Sequence, residues 1–114
     1  MARSLAAGRL IDLPPGGHTI CDAIGGPYTA DLPFAILKDR LAGAVAVSDD
    51  EAMAAMRIAH AEFGLAVEPG GAVALAAMLR RGQSLSGKTV AVIATGRNVD
   101  PGLAARALGQ RVAA

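Results

Sequence analysis

Residues 72–79 constrain the fold of this chain more than any other feature, because they form an uninterrupted apolar run. The run follows Pro69 and a glycine pair and ends at Arg80, so it predicts a helix over residues 70–81. It is far shorter than the ~20 residues that a membrane helix requires. A helix without a polar face has to be buried inside the protein.

Two shorter apolar runs, residues 44–47 and 89–94, predict strands that are buried on both faces. A capping box formed by Ser48 and Glu51 predicts a helix immediately after the first run, and Gly64 is placed to end that helix. Strands separated by helices imply a parallel pair joined by a right-handed crossover, with helices on both faces. The predicted fold class is therefore α/β, with part of a parallel sheet flanked by helices.

The predicted strands are too few for a complete fold of this class, because two or three strands seldom make a full doubly wound sheet. The apolar helix at residues 70–81 also needs covering from elements that the chain does not obviously supply. The 114 residues are nevertheless long enough for one core. We therefore expect residues 1–114 to be a single partial domain, the C-terminal part of something larger.

Cap and breaker residues predict the remaining elements. The first is a helical segment at residues 1–7 that ends at Gly8, followed by a loop from residue 9 to residue 19 that contains the breaker cluster Pro14, Pro15, Gly16 and Gly17. A second breaker cluster at Gly25, Gly26 and Pro27 precedes a helix that is capped by Asp31, has Pro33 in its first turn and continues to about Arg40. Asp100 and Pro101 predict the start of a last helix. The apolar stripe of the helix after Ser48 is Ala52, Met56, Ala59 and Phe63.

The composition excludes several classes of protein. Hydrophobic residues make up 53% of the chain and charged residues 18%, which excludes disorder and a coiled coil. The 11 basic and 10 acidic side chains are scattered, so we predict no partner among nucleic acids or membranes. Cys21 is the single cysteine, which excludes an internal disulfide, and no zinc-like spacing is present. We expect a cytoplasmic protein that binds small molecules or other proteins.

Two polar turns are candidates for a binding site. Ligands of open parallel sheets gather beyond the carboxyl ends of the strands, which makes residues 95–98 the first candidate. The second is the segment at residues 68–71, which opens the apolar helix. With residues 19–23 and the capping box, these segments resemble the fold-type II pyridoxal-phosphate enzymes of the serine/threonine dehydratase (threonine ammonia-lyase) family. The resemblance rests on the segments SLAAG, TICDAI, VAVSDDE, VEPGGAVALAAML and GKTVAVIATGRNVDP.

The resemblance covers residues 4–108 and corresponds to the C-terminal third of such an enzyme. It implies that Thr95 takes the place of the hydroxyl residue in the family's Ser-Gly-Gly-Asn turn, which hydrogen-bonds the pyridine nitrogen of pyridoxal phosphate. Gly96 would let the backbone pass close to the flat ring. Arg97 departs from the usual second glycine, and an exposed loop arginine is the alternative interpretation. The alternative for Thr95 is a cap of the turn that follows.

The same resemblance implies three further cofactor-binding residues. Glu68 matches the glutamate of a Glu-Pro-x-Gly segment near the cofactor ring, although a helix dipole would also stabilise a carboxylate there. Asp22 and Ala23 match a segment, commonly Asp-Gly, whose backbone passes near the cofactor. Cys21 beside them is predicted to be a small buried hydrophobic residue.

The lysine that binds the cofactor in this family, within a Ser-x-Lys-type motif, has no counterpart here. Lys38 and Lys88 are the lysines of the chain, and neither lies in such a motif. We therefore expect a fragment that is inactive by itself, with no catalytic residue or metal ligand of its own. The implied parent is a lyase that acts on L-threonine, L-serine or a related hydroxy amino acid.

Two alternatives stay open at this stage. One is a non-catalytic interaction or scaffold protein that retains only the packing of this subdomain, and the other is a fragment of a sibling enzyme such as a serine racemase. The apolar character of the helix at residues 70–81 further predicts that the chain self-associates through this region.

Overall fold

A computed structural model of the protein describes residues 1–14, 17–26 and 30–109. Within these ranges the chain forms α-helices at α1 (Ala2–Ala7), α2 (Asp31–Leu37), α3 (Asp49–Phe63), α4 (Pro69–Arg80) and α5 (Pro101–Ala107). Short 3₁₀ turns occur at Asp22–Ile24 and Gly82–Leu85. No helix in the described ranges is long and apolar enough to span a bilayer. The chain divides into two compact units, Met1–Ala46 and Val47–Ala114.

The first unit begins with α1, which ends at Gly8 as predicted. Gly8 has a φ of 65°, a left-handed conformation that glycine adopts without steric cost. Ser4 is buried, and its Oγ accepts a hydrogen bond from the Ile11 backbone N–H at 3.1 Å, which ties the following loop back to the helix. Cys21 is also buried, as expected of a small hydrophobic residue. Pro15, Gly16 and Pro27 of the two predicted breaker clusters lie outside the described residues.

Two details of the α2 prediction were wrong. Asp31 is the first helical residue and not the cap, because extended Ala30 occupies the N-cap position. The carboxylate of Asp31 still lies in the first turn, where the helix dipole favours a negative charge. The helix ends at Leu37 and continues only as a turn toward Arg40, since Phe34 is its one buried residue and little packing holds its last turn.

The capping box at the start of α3 is confirmed. The Glu51 backbone N–H donates to Ser48 Oγ at 3.2 Å, and the Ser48 backbone N–H donates to Glu51 Oε2 at 2.7 Å. Gly64 ends the helix with a φ of 64°. Ala52, Met56 and Ala59 are buried as the stripe predicts, but Phe63, the last residue of the helix, is 65% exposed.

The core of the second unit lies chiefly between α3 and α4. Its buried members are mostly small, which lets the two helices approach closely. They are Ala55, Met56, Ala59, Val67, Ala72, Leu75, Ala76 and Ala107. The Arg57 Nε–H donates to the Ala107 carbonyl oxygen at 2.9 Å and so holds the end of α5 against α3.

The apolar helix predicted at residues 70–81 is present as α4, but it is buried on one side only. Leu75 and Ala76 lie in the core, whereas Ala74 and Leu79 are exposed. A helix that is apolar all round needs neighbours on every side, and within the second unit α3 covers only part of it. The self-association expected of this region remains a prediction.

Neither predicted strand is present among the described residues, where residues 44–47 and 89–94 are irregular. The expectation of burial on both faces was also wrong, since Val90 is 41% and Ile93 is 79% exposed while Val92 packs against the core. A helix satisfies its backbone hydrogen bonds locally, whereas a strand needs a neighbouring strand. No backbone hydrogen bond within the described part of the chain involves residues 89–94. The sheet of the predicted α/β class is therefore unconfirmed.

Glu51 should make the stability of the chain depend on acid pH. The pKa of the Glu51 carboxyl is lowered, chiefly by the hydrogen bond from the Ser48 backbone N–H, against some desolvation and with help from Arg80, whose Nη1 lies 3.2 Å away. A lowered folded-state pKa gives stability that is present above the unfolded value and is lost as the pH falls through the folded value. We expect this loss to begin below about pH 4.3, the ordinary value for glutamate.

This prediction is tested by measuring the urea unfolding midpoint as a function of acid pH for wild type, Glu51→Gln and Glu62→Gln. Glu51→Gln should flatten the loss, whereas Glu62→Gln should follow wild type, because Glu62 is an exposed glutamate of the same helix whose carboxylate has no hydrogen bond within the described residues. Parallel curves for wild type and Glu51→Gln would contradict the assignment.

Candidate functional site: a turn held against the start of helix α4

The turn at residues 95–98 is bound to the N-terminus of α4 through Glu68. The Glu68 backbone N–H donates to the Gly96 carbonyl oxygen at 2.9 Å. The Glu68 carboxylate accepts a hydrogen bond from the Asn98 backbone N–H at 3.3 Å between nitrogen and Oε2. Glu68 is the N-cap residue of α4, yet its side chain caps no amide of its own helix. The carboxylate is therefore used by the turn and not by α4.

Two glycines make the close contact between the turn and α4 possible. A Cβ on Gly71, in the first turn of α4, would overlap the Thr95 carbonyl oxygen. A Cβ on Gly96 would overlap the Glu68 carboxyl group, and Gly96 also has a φ of 76°, which side chains rarely tolerate. At both positions a neighbouring group lies so close to the glycine that a side chain would have no room. The chain therefore brings Thr95, Gly96 and Glu68 together in one compact arrangement.

Thr95 lines an open pocket beside this arrangement. The pocket has a volume of about 510 Å³, and its walls are formed by residues 64–67 and 94–97. Arg97 is exposed, as the alternative for this residue predicts, and it lines the same pocket. None of the described residues that line the pocket is acidic.

This donor set fits the nitrogen edge of a pyridine ring. A threonine hydroxyl is able to donate a hydrogen bond to an aromatic nitrogen lone pair, and a neutral hydroxyl leaves that nitrogen unprotonated. A carboxylic acid in the wall would instead favour a protonated pyridine nitrogen. The absence of such a side chain from the described lining and the glycine next to Thr95 are both compatible with a flat heterocycle.

Sequence patterns found part of this site. Thr95, Gly96 and Glu68 were predicted and lie together, but the Asn98 N–H and the close approach of Gly71 were missed. The glycine pair after Pro69 was the available signal for Gly71, because an unneeded glycine in a helix often marks a close backbone contact.

Asp22 and Ala23 belong to the first unit, where they form part of a 3₁₀ turn. Asp22 Oδ1 accepts a hydrogen bond from the Ala23 backbone N–H at 2.8 Å. This hydrogen bond lies within the 3₁₀ turn and gives the Asp22 side chain a local structural role. The role of both residues in a cofactor site remains a prediction from the resemblance.

Comparison with known proteins assigns the class. The family model described as "Pyridoxal-phosphate dependent enzyme" matches residues 1–96. A chain with this match and with a hydroxyl-bearing turn seated on a helix N-terminus belongs to the pyridoxal-phosphate dependent enzyme family. Pyridoxal phosphate is accordingly the cofactor of the family. Thr95 and Gly96 lie within the matched range.

Three relatives illustrate the similarity. Phenylserine dehydratase from Ralstonia pickettii is 37% identical over 93 residues, which is 81% of this chain and 28% of that protein. The structure of the T.th. threonine deaminase has a TM-score of 0.80 at 34% identity and covers 87% of this chain and 33% of its own. Maize serine racemase has a TM-score of 0.79 at 31% identity and covers 95% of this chain and 35% of its own.

The chain thus spans about a third of the length of these relatives. Their likeness in structure supports the α/β class, although the described residues contain no strand of their own.

Proposed function

We propose that this chain supplies part of the cofactor site of a pyridoxal-phosphate dependent lyase. The proposed reaction eliminates water from L-threonine, L-serine or a related hydroxy amino acid. Hydrolysis of the unsaturated amine product then consumes one water, releases ammonia and leaves a 2-oxo acid. The observation that carries the proposal is the position of Thr95, which lines an open pocket without described acidic walls while its turn is held by Glu68. The similarity to a dehydratase and a deaminase supports the reaction class.

In this proposal the chain binds and orients and does not itself move a proton. The Thr95 hydroxyl donates a hydrogen bond to the pyridine nitrogen, and Gly96 leaves room for the ring beside the backbone. Pyridoxal phosphate, when bound, withdraws electrons from the α-carbon of an amino acid and so makes its proton removable. Glu68 holds the turn, while Asp22 and Ala23 are assigned to the site from the resemblance alone.

We assign no residue of this chain as the base that removes the α-proton. Such lyases need a lysine that both holds the cofactor and removes the α-proton. Lys38 and Lys88 are exposed, and Lys88, which belongs to the same unit as the pocket of Thr95, is not among the residues that line it. We therefore assign the 114 residues a binding role without catalytic activity of their own.

The Thr95 contact is tested by ligand titration of the isotope-labelled chain. Pyridoxine 5′-phosphate is the probe, because it lacks the aldehyde and forms no covalent bond with lysines. We expect it to shift the Thr95 and Gly96 amide resonances, and Thr95→Val should weaken binding about fivefold through loss of one hydrogen bond. Thr95→Ser keeps the hydroxyl and is the matched control. Equal affinities for wild type and Thr95→Val would reject the proposed contact.

A serine racemase is the second candidate, because the maize serine racemase structure matches almost as well as the threonine deaminase structure. Both activities place the same demand on Thr95, so the proposed cofactor contact is common to the two. The product separates them, since elimination gives a 2-oxo acid whereas racemisation gives the D-amino acid.

A further inference from the structure

We infer that Glu68 is a positioning residue, whose carboxylate fixes the turn that carries Thr95 and takes no part in proton transfer. The inference rests on the proposed function for its consequence at the cofactor, but the hydrogen bond itself is a property of the unliganded chain. The resemblance implies that this glutamate lies near the cofactor ring and helps order the pocket wall, and the structure shows one partner of its carboxylate, the Asn98 backbone N–H.

The backbone contacts of the turn come first. The Thr95 carbonyl oxygen lies against the Cα of Gly71, and the Gly96 carbonyl oxygen accepts the Glu68 backbone N–H. These contacts involve main-chain atoms of α4 and its cap. They anchor two carbonyl groups of the turn, those of Thr95 and Gly96, and leave residues 97 and 98 to other contacts.

The second half of the turn depends on the side chain. The Asn98 backbone N–H donates to Glu68 Oε2, and this is the hydrogen bond recorded for that amide within the described residues. Glu68 is half-buried, but the hydrogen bond itself is exposed to solvent, so its contribution is that of an ordinary single hydrogen bond. Fixing Asn98, the last residue of this short turn, reduces the number of backbone conformations open to Thr95, its first residue. The Glu68 carboxylate thereby limits the directions that the Thr95 hydroxyl can take.

Two substitutions at residue 68 separate the role of its oxygen as a hydrogen-bond acceptor from the role of its negative charge. A glutamine retains an oxygen acceptor on a side chain of the same length, whereas an alanine removes it. If Glu68 acts by accepting the Asn98 N–H, then Glu68→Gln rescues what Glu68→Ala loses. If Glu68 acts as a charge or as a proton carrier, both variants fail equally.

The first test measures amide hydrogen exchange at Asn98 in the full 114-residue chain without ligand. We expect exchange about fivefold to tenfold faster in Glu68→Ala, from the loss of one hydrogen bond, and close to the wild-type rate in Glu68→Gln. Glu62→Ala, an exposed glutamate on α3, is the matched control and should leave the rate unchanged. Unchanged exchange in Glu68→Ala, or equal acceleration in both Glu68 variants, overturns the inference.

The second test repeats the pyridoxine 5′-phosphate titration on the same variants. Glu68→Ala should weaken binding by a few-fold while Glu68→Gln binds as wild type does, which supports positioning of Thr95. Full affinity in Glu68→Ala overturns the positioning role even where Asn98 exchange has accelerated. A wild-type chain that binds no probe rejects the proposed function instead, and the exchange measurement still decides whether Glu68 holds the turn.

Discussion

Replacing Gly71 by alanine is expected to destabilise the chain by about 2 kcal/mol, the usual size of an overpacking effect. The added methyl group would overlap the Thr95 carbonyl oxygen. The atoms nearest to it belong to the Thr95 backbone, so no flexible side chain can move aside to relieve the overlap. The start of α4 and the turn must therefore separate. Alanine's better helix propensity, about 1 kcal/mol over glycine, offsets only part of this cost.

The free energy of unfolding in urea measures this effect. Gly82→Ala is the matched control, because nothing lies within 4 Å of a Cβ at that glycine and its φ is not in the left-handed region. We expect it to stay within about 0.5 kcal/mol of wild type. A Gly71→Ala chain as stable as the control would mean that α4 does not pack against the Thr95 turn.

The second large effect is expected for Gly96→Ala, which should cost about 1–2 kcal/mol from its left-handed φ and in addition break the Glu68–Asn98 hydrogen bond. The obstacle here is the Glu68 side chain and not backbone, so the carboxylate moves aside and releases the Asn98 N–H. Amide exchange at Asn98 should accelerate together with the loss of stability. Binding of pyridoxine 5′-phosphate should weaken as well.

A control and a mutant cycle separate the two causes. Gly87 has a similar φ of 73° but nothing within 4 Å of a Cβ, so Gly87→Ala reports the backbone strain alone. In a Glu68→Ala background the obstacle is gone, and Gly96→Ala should then cost no more than Gly87→Ala. A coupling free energy on the order of 1 kcal/mol is expected between Gly96→Ala and Glu68→Ala. Additive effects would show that the two residues do not interact.

Part of the candidate site was predictable because it is written in local sequence. Thr95 and Gly96 were found from their place after an apolar run, and Glu68 from the Pro-Gly-Gly that follows it. The Asn98 hydrogen bond to Glu68 was not predicted, since it joins positions 30 residues apart through a backbone amide that carries no sequence signature. The glycine pair after Pro69 was a signal for Gly71, but its contact was missed because the partner is the carbonyl oxygen of a residue distant in sequence, Thr95.

The sequence by itself determined where α3 begins and ends and where α5 begins. Ser48 and Glu51 specify the start of α3, Asp100 caps α5 through the Leu103 N–H, and Gly64 closes α3. These signals act within one helical turn, so no other part of the chain has to be in place for them to work. Their outcome was therefore visible in the order of residues alone.

Tertiary structure decided what the apolar runs became. Residues 89–94 have the composition of a buried strand, yet Ile93 is exposed and the run forms no backbone pairing in the described part of the chain. A strand depends on a partner strand for its hydrogen bonds and for cover on each face, and neither is encoded in the run itself. The seating of the Thr95 turn on α4 is decided in the same way, because it arises only when Glu68, Gly71 and the turn meet in space.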